Sequence, residues 1–181
     1  MTITWSQDIY NQTWHFAAEA HQGQTIPGSP LPYIVHLSSV AMEVIATLSV
    51  ETVSQPNLSL QCALLHDVIE DTSVPYNAIA DQFGIQVADG VQALSKNDQL
   101  PDKQSQMVDS LARIKKQPPE VWLVKMADRI TNLQGPPAHW SKEKISLYRE
   151  EGQLIWNELQ TASPFLATRL QQKIDDYKQY L

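Results

Sequence analysis

The chain has 181 residues, 43% hydrophobic and 18% charged, the composition of an ordinary globular protein rather than a disordered or fibrous one. A chain of this length buries roughly 70% of the surface its unfolded form exposes, enough to fold without a disulfide or a structural metal. The net charge of −7 comes with no run of basic residues. Duplex nucleic acid is therefore a poor partner, whereas an anionic small molecule is compatible if a bound cation reverses the local sign.

Helical periodicity recurs along the chain and strand signals are nearly absent. Ile9, Trp14, Phe16, Ala17 and Ala20 predict a first helix that ends near Gly23. Gln24 to Pro32, with Gly28 and three prolines, predicts a loop. Val40, Val44 and Leu48, four apart, predict a helix from Ile34 to Leu48, and Gln55-Pro56-Asn57 separates it from a helix over about Leu58 to Asp71. Pro75 fits the first turn of the next helix, where its missing N–H costs nothing. That helix reaches Phe83-Gly84, and another covers Ile85 to Leu94. After a polar loop from Lys96 to Asp102, helices are expected over Gln104 to Lys116 and from Pro118-Pro119 through Leu133. Gly135-Pro136-Pro137 breaks the chain again, Ser141 opens a long helix to about Leu159, and Pro164 starts a last one over 164–180. The expectation is an all-α protein, one helical bundle of about eight to ten helices spanning residues 1–181.

The single cysteine, Cys62, excludes an internal disulfide and fits a reducing compartment. Met1 to Asn11 carries no basic residue and no apolar core, so no signal peptide is expected. Apolar stretches such as Ala63 to Leu65 are far too short to span a bilayer. The expected location is the cytoplasm, away from membranes.

The chemistry concentrates in Ala63-Leu64-Leu65-His66-Asp67-Val68-Ile69-Glu70-Asp71. On a continuous helix, His66, Asp67, Glu70 and Asp71 would share an arc of roughly 140°, while Leu65, Val68 and Ile69 bury on the other side. No Lys or Arg occurs between Leu60 and Thr72, so the arc concentrates carboxylates that a divalent cation would relieve of mutual repulsion. Further ligands must come from elsewhere. His36 opens an apolar helix, and Asp128 lies deep in the most apolar one, where an acid would otherwise pair with Lys125 or Arg129. Two His and two Asp suit Mn²⁺, Fe²⁺, Ni²⁺ or Zn²⁺ and are unlike a closed thiolate zinc site.

The set His36, His66-Asp67 and Asp128 resembles that of the HD-domain metal-dependent phosphohydrolases. Flanking residues sharpen the likeness: Ala20-His21-Gln22-Gly23-Gln24, Pro32-Tyr33-Ile34, Ala63 through Asp71 ending in Thr72, Ser95-Lys96, and Val124-Lys125-Met126-Ala127-Asp128-Arg129 with Asn132-Leu133. Over about 9–159 the chain is similar to the hydrolase domain of RelA/SpoT proteins, especially the small stand-alone alarmone hydrolases similar to the metazoan SpoT homologue. The resemblance implies one Mn²⁺ held by His36, His66, Asp67 and Asp128. It implies that Glu70 and Asp71 help activate a water that removes the 3′-pyrophosphate from (p)ppGpp or (p)ppApp. It further implies that Asn132, Lys144, Tyr148 and Lys96 contact the nucleotide. Asn132 follows Asp128 by four residues and so shares its face. No synthetase domain is expected after Leu159.

One departure stands out. Alarmone hydrolases usually carry Arg just after the Gly-Gln element, where this chain reads Thr25-Ile26-Pro27-Gly28. A planar cation able to stack on guanine is missing, which opens the base preference towards adenine. Two other readings compete: the same metal site acting on NADPH or a nucleoside monophosphate, and a non-catalytic nucleotide sensor. The Glu70-Asp71 pair argues against the sensor, since binding alone needs no water-activating carboxylate.

Overall fold

The computed structural model describes residues 4–181. Ten α-helical segments and no strand occur among the described residues: α1 (Gln7–Ala20), α2 (Ile34–Val50), α3 (Pro56–Leu65), α4 (Val68–Asp71), α5 (Tyr76–Phe83), α6 (Ile85–Leu94), α7 (Lys103–Ile114), α8 (Pro119–Asn132), α9 (Lys142–Leu159) and α10 (Pro164–Asp176). A 3₁₀ turn over Tyr177–Tyr180 extends the last of these. The expected all-α architecture is the one found.

Local sequence accounts for most of the boundaries. Ser6, Asp102, Ser141 and Ser163 each accept a backbone N–H of the following first turn, at Ile9, Ser105, Lys144 and Leu166, relieving donors that a helix start leaves unpaired. Pro56, Pro119 and Pro164 occupy first helical positions, where a missing N–H removes nothing. Pro75 instead caps α5 from outside, with extended backbone, and the helix starts at Tyr76.

Three helices form the centre. α3 buries Leu58, Leu60, Cys62, Ala63, Leu64 and Leu65, and α8 buries every residue from Glu120 to Ile130 except Trp122. α2 packs against both, α6 and α1 cover α3, and α9 and α10 cover α8. Helices apolar around most of their circumference belong inside a domain. Among the glycines the closest approach is at Gly90 of α6, where an added Cβ would lie 2.7 Å from Cys62 Sγ and 3.0 Å from Val121 Cγ2. Burial pushes the Cys62 thiol pKa up to about 12, so it packs there as a neutral side chain.

The loop after α1 is ordered by its own backbone. Thr25 and Pro32 form an isolated antiparallel bridge. Ile26 N donates to Leu31 O at 2.9 Å, Tyr33 N donates to Gln24 O at 3.0 Å, and Gly28 turns at φ 78°. Gln24 to Pro32 is therefore a small hairpin lying between α1 and α2.

The expected continuous helix to Asp71 is corrected: the chain breaks at His66-Asp67, between α3 and α4. Neighbouring residues on a regular helix diverge by about 100° and do not face each other. Here His66 Nε2 and Asp67 Oδ2 meet at 2.9 Å, with Asp67 at the edge of the helical region, φ −101° and ψ −2°.

Gly90→Val is expected to destabilise the fold by about 1–3 kcal/mol through overpacking. Urea unfolding measures this directly, and an unchanged midpoint would show that the α3–α6–α8 contact is loose.

Candidate functional site

Each central helix delivers one part of a polar cluster. α2 contributes His36 from its first turn, the α3–α4 break contributes His66 and Asp67, and α8 contributes Asp128 from its third turn. His36 Nε2 lies 3.3 Å from His66 Nε2, 3.5 Å from Asp128 Oδ1 and 3.7 Å from Asp67 Oδ2. His66 Nε2 lies 3.7 Å from Asp128 Oδ1. All four residues are nearly buried.

This donor set fits a divalent transition metal. Two ligand atoms each about 2.1 Å from one ion lie roughly 3.0–3.4 Å apart, close to the spacings found. His66 Nδ1 donates to Ala63 O at 2.9 Å, a carbonyl freed where α3 ends. That bond holds a proton on Nδ1 and leaves Nε2 facing the cluster, the nitrogen through which the imidazole would bind a metal. Asp67 Oδ2 accepts from Tyr33 Oη at 2.5 Å. Asp128 Oδ1 accepts from Asn132 Nδ2 at 2.6 Å, and its Oδ2 accepts from the buried Lys125 Nζ at 3.5 Å.

The electrostatics follow from burial and pairing. Burial alone would favour the neutral form of Asp67, yet the His66 imidazole outweighs it and holds the carboxyl below the usual range. Asp128 is likewise lowered, with burial opposed by Lys125, His36 and His66. At His66 burial opposes charge, but Asp67 and Asp128 override it and raise the imidazole pKa well above its ordinary value. Both acids are thus held in the anionic form.

A cavity of about 170 Å³ opens beside the cluster, lined by Tyr33, His66, Asp67, Glu70, Asp71, Leu94, Lys96, Lys125, Asp128 and Asn132. Its lining carries four carboxylates against two ammonium groups, an acidic excess that suits a bound cation. Glu70 Oε2 accepts from Lys96 N at 2.8 Å and Oε1 from Lys96 Nζ at 2.5 Å. The segment carrying Lys96 is itself anchored, because Arg113 Nη1 donates to Gln92 O and Ala93 O and Nη2 to Ser95 O. Asp71 is half-buried, and burial, followed by the charge of Asp67, raises its carboxyl pKa.

Glu70, Asp71, Lys96 and Asn132 therefore meet at one cavity with the His/Asp cluster. Lys144 and Tyr148 do not line it: Lys144 Nζ sits 4.2 Å above the Trp140 ring, and the Tyr148 ring stacks under Arg129 at 4.4 Å. Besides the apolar Leu94, two lining residues escaped sequence reasoning as site residues. Lys125 counted only as a partner for Asp128, and Tyr33 only as a flank of His36. The three-residue spacing of each from its neighbouring His or Asp was the available signal.

A divalent metal at about a hundred times its Kd is expected to stabilise the protein by about 2.7 kcal/mol, read as a rise in Tm. The near-isosteric Asp128→Asn variant is expected to lose most of that rise. An equal rise in both proteins would place the ion elsewhere.

Comparison with known proteins shows the family. Residues 13–165 match the family described as HD domain. The chain is 31% identical over 174 residues to the zebrafish (Danio rerio) guanosine-3′,5′-bis(diphosphate) 3′-pyrophosphohydrolase MESH1, covering 92% of this chain and 93% of that protein. It is 36% identical over 128 residues to the bifunctional (p)ppGpp synthase/hydrolase SpoT of Escherichia coli, covering 68% of this chain and 17% of SpoT. A solved structure described as a metazoan ortholog of SpoT that hydrolyzes ppGpp superposes with a TM-score of 0.81 at 23% identity, covering 96% of this chain and 98% of that one. The likeness extends over nearly the whole fold, and the chain belongs to the HD-domain family.

Proposed function

We propose that the protein is a Mn²⁺-dependent hydrolase that removes the 3′-pyrophosphate from alarmone nucleotides, (p)ppGpp, (p)ppApp or both. The observation that carries this reading is the cluster of His36, His66 and Asp67, with Asp128 Oδ1 3.5 Å and 3.7 Å from the two imidazoles, beside Glu70 and Asp71. The identity to MESH1 over nearly the full length of both chains supports it. A cytoplasmic site of action fits this reading, and no described helix is long and apolar enough to cross a membrane.

In this proposal His36, His66, Asp67 and Asp128 hold the ion. When bound, it supplies Lewis-acid charge that polarises a phosphoryl oxygen and lowers the pKa of water. Hydrolysis adds water across the bond between the ribose 3′ oxygen and the pyrophosphoryl group. Glu70 or Asp71 accepts the water proton, the phosphorus–oxygen bond breaks, and the 3′ oxygen takes up a proton to leave as an alcohol. Lys96 and Lys125 line the cavity as cations and offset the negative charge of the departing pyrophosphate. Asn132 braces Asp128 from the same helix face while presenting its amide to the cavity. Lys144 and Tyr148 serve the nucleotide only if it extends past the cavity towards α9.

Base preference falls to the hairpin. Its first residue, Gln24, reaches Asp71 at 3.3 Å, so Ile26 lies two residues from the cavity rim, where an arginine would supply a stacking cation. In its absence adenine and guanine are expected to be accepted more evenly.

Turnover of ppGpp and ppApp with Mn²⁺, compared with an EDTA control, tests the proposal. EDTA-sensitive pyrophosphate release is expected, whereas orthophosphate release from NADPH or a nucleoside monophosphate would overturn the alarmone assignment, and tight binding without turnover would indicate a sensor. Asp67→Ala is expected to lose metal and activity together. Glu70→Ala should keep the metal and lose about 10²–10⁴-fold in rate, the usual range for a general base; an empty site in purified Glu70→Ala contradicts that division. Ile26→Arg is expected to raise the guanine-to-adenine rate ratio, and an unchanged ratio would remove the hairpin from specificity.

A further inference from the structure

His21, the residue that ends α1, is only 4% exposed and lies outside the cavity lining. Its Nε2 is buried without a hydrogen-bond partner. Its Nδ1 lies 2.6 Å from Gln24 Oε1, and Gln24 Nε2 donates to Asp71 Oδ2 at 3.3 Å. The backbone fixes Gln24 on both sides: its N–H donates to His21 O, its carbonyl accepts from Tyr33 N, both at 3.0 Å, and Gly23 makes the turn at φ 84°.

The direction of this chain of bonds is determined by chemistry. An ionised carboxylate only accepts, so the Gln24 group facing Asp71 is the NH₂. The amide oxygen then faces the imidazole, and Nδ1 must carry the proton. What remains orphaned is an Nε2 lone pair, which is tolerated in an interior more readily than an orphaned N–H. The opposite tautomer would set a lone pair against the amide oxygen at 2.6 Å and bury an unpaired donor.

The same ring has a second contact. It stacks on Tyr33, with centroids 4.9 Å apart and planes 26° apart, and Tyr33 Oη is the donor to Asp67. One buried side chain thus supports a proposed metal ligand through its face and a proposed water-activating carboxylate through its edge.

We propose that His21 and Gln24 are positioning residues, His21 Nδ1–H locking the Gln24 amide that holds Asp71 towards the His/Asp cluster. The kinetic consequence rests on the reading of Asp71 as a water-activating group, whereas the tautomer does not.

Long-range ¹H–¹⁵N spectra of the full chain test the tautomer without any substrate. The expected result is a neutral His21 protonated at Nδ1, with that preference lost in Gln24→Met. Protonation at Nε2 in the unmodified protein would overturn the proposal. With alarmone substrate, Gln24→Met and His21→Phe are each expected to lower kcat about 10- to 100-fold, the usual cost of losing an outer supporting bond, with KM and metal content unchanged. Phe keeps a ring against Tyr33, so only the edge contact is lost; His21→Ala removes both contacts and should lower metal content as well. Residues acting in one chain are non-additive, so the double variant His21→Phe/Gln24→Met should be no slower than the slower single. Unchanged kcat in a folded Gln24→Met protein, or fully additive losses, would overturn the positioning role. If neither alarmone is hydrolysed but Nδ1 carries the proton, the alarmone reading fails and the His21–Gln24–Asp71 bonding stands.

Discussion

Everything at the site depends on bringing two carboxylates and two imidazoles together inside an apolar core. Left to themselves, Asp67 and Asp128 would repel and, being buried, would tend to protonate. The protein keeps both anionic by surrounding them with donors: Tyr33 Oη and His66 on Asp67, and Lys125, Asn132 and the imidazoles on Asp128. The remaining excess of negative charge creates the demand for a cation.

That constraint explains the central trio of helices. Side chains from α2, the α3–α4 break and α8 meet only if those helices are clamped at fixed spacing, and their apolar surfaces provide the clamp. α8 places Asp128 and Lys125 on one side while burying Val121, Val124 and Ile130 around them. The break after Leu65 serves the same purpose. It lets adjacent residues, His66 and Asp67, point at a common centre, and the carbonyl of Ala63 left free by the break is used to orient the imidazole.

The elements were legible in the sequence because Pro, Gly and Ser punctuate it: Pro56, Pro119 and Pro164 begin helices, and Gly84 separates two of them. The break at His66-Asp67 was not, because apolar periodicity runs through it and the contacts made there, from Tyr33 to Asp67 and from His66 to the Ala63 carbonyl, leave no mark on that pattern. The hairpin over Gln24–Pro32 read only as a loop, since its order comes from backbone bonds that composition does not display. Among the candidate site residues, Asn132 could be placed beside Asp128 by helical spacing alone. For Lys144 and Tyr148 spacing gave a shared face on α9 but no information on what that face meets, which proves to be Trp140 and Arg129. Lys125 was hidden for the opposite reason: a cation in so apolar a helix reads as a neutralising partner, and only the packing shows that it also faces a cavity.

The central claim is that these four side chains form one metal cradle. Anomalous diffraction from crystals grown with Mn²⁺ tests it most directly. The account predicts one peak within about 2.0–2.3 Å of His36 Nε2, His66 Nε2 and carboxylate oxygens of Asp67 and Asp128. A peak bound by Glu70 and Asp71 without the two histidines, or none at saturating metal, would contradict it.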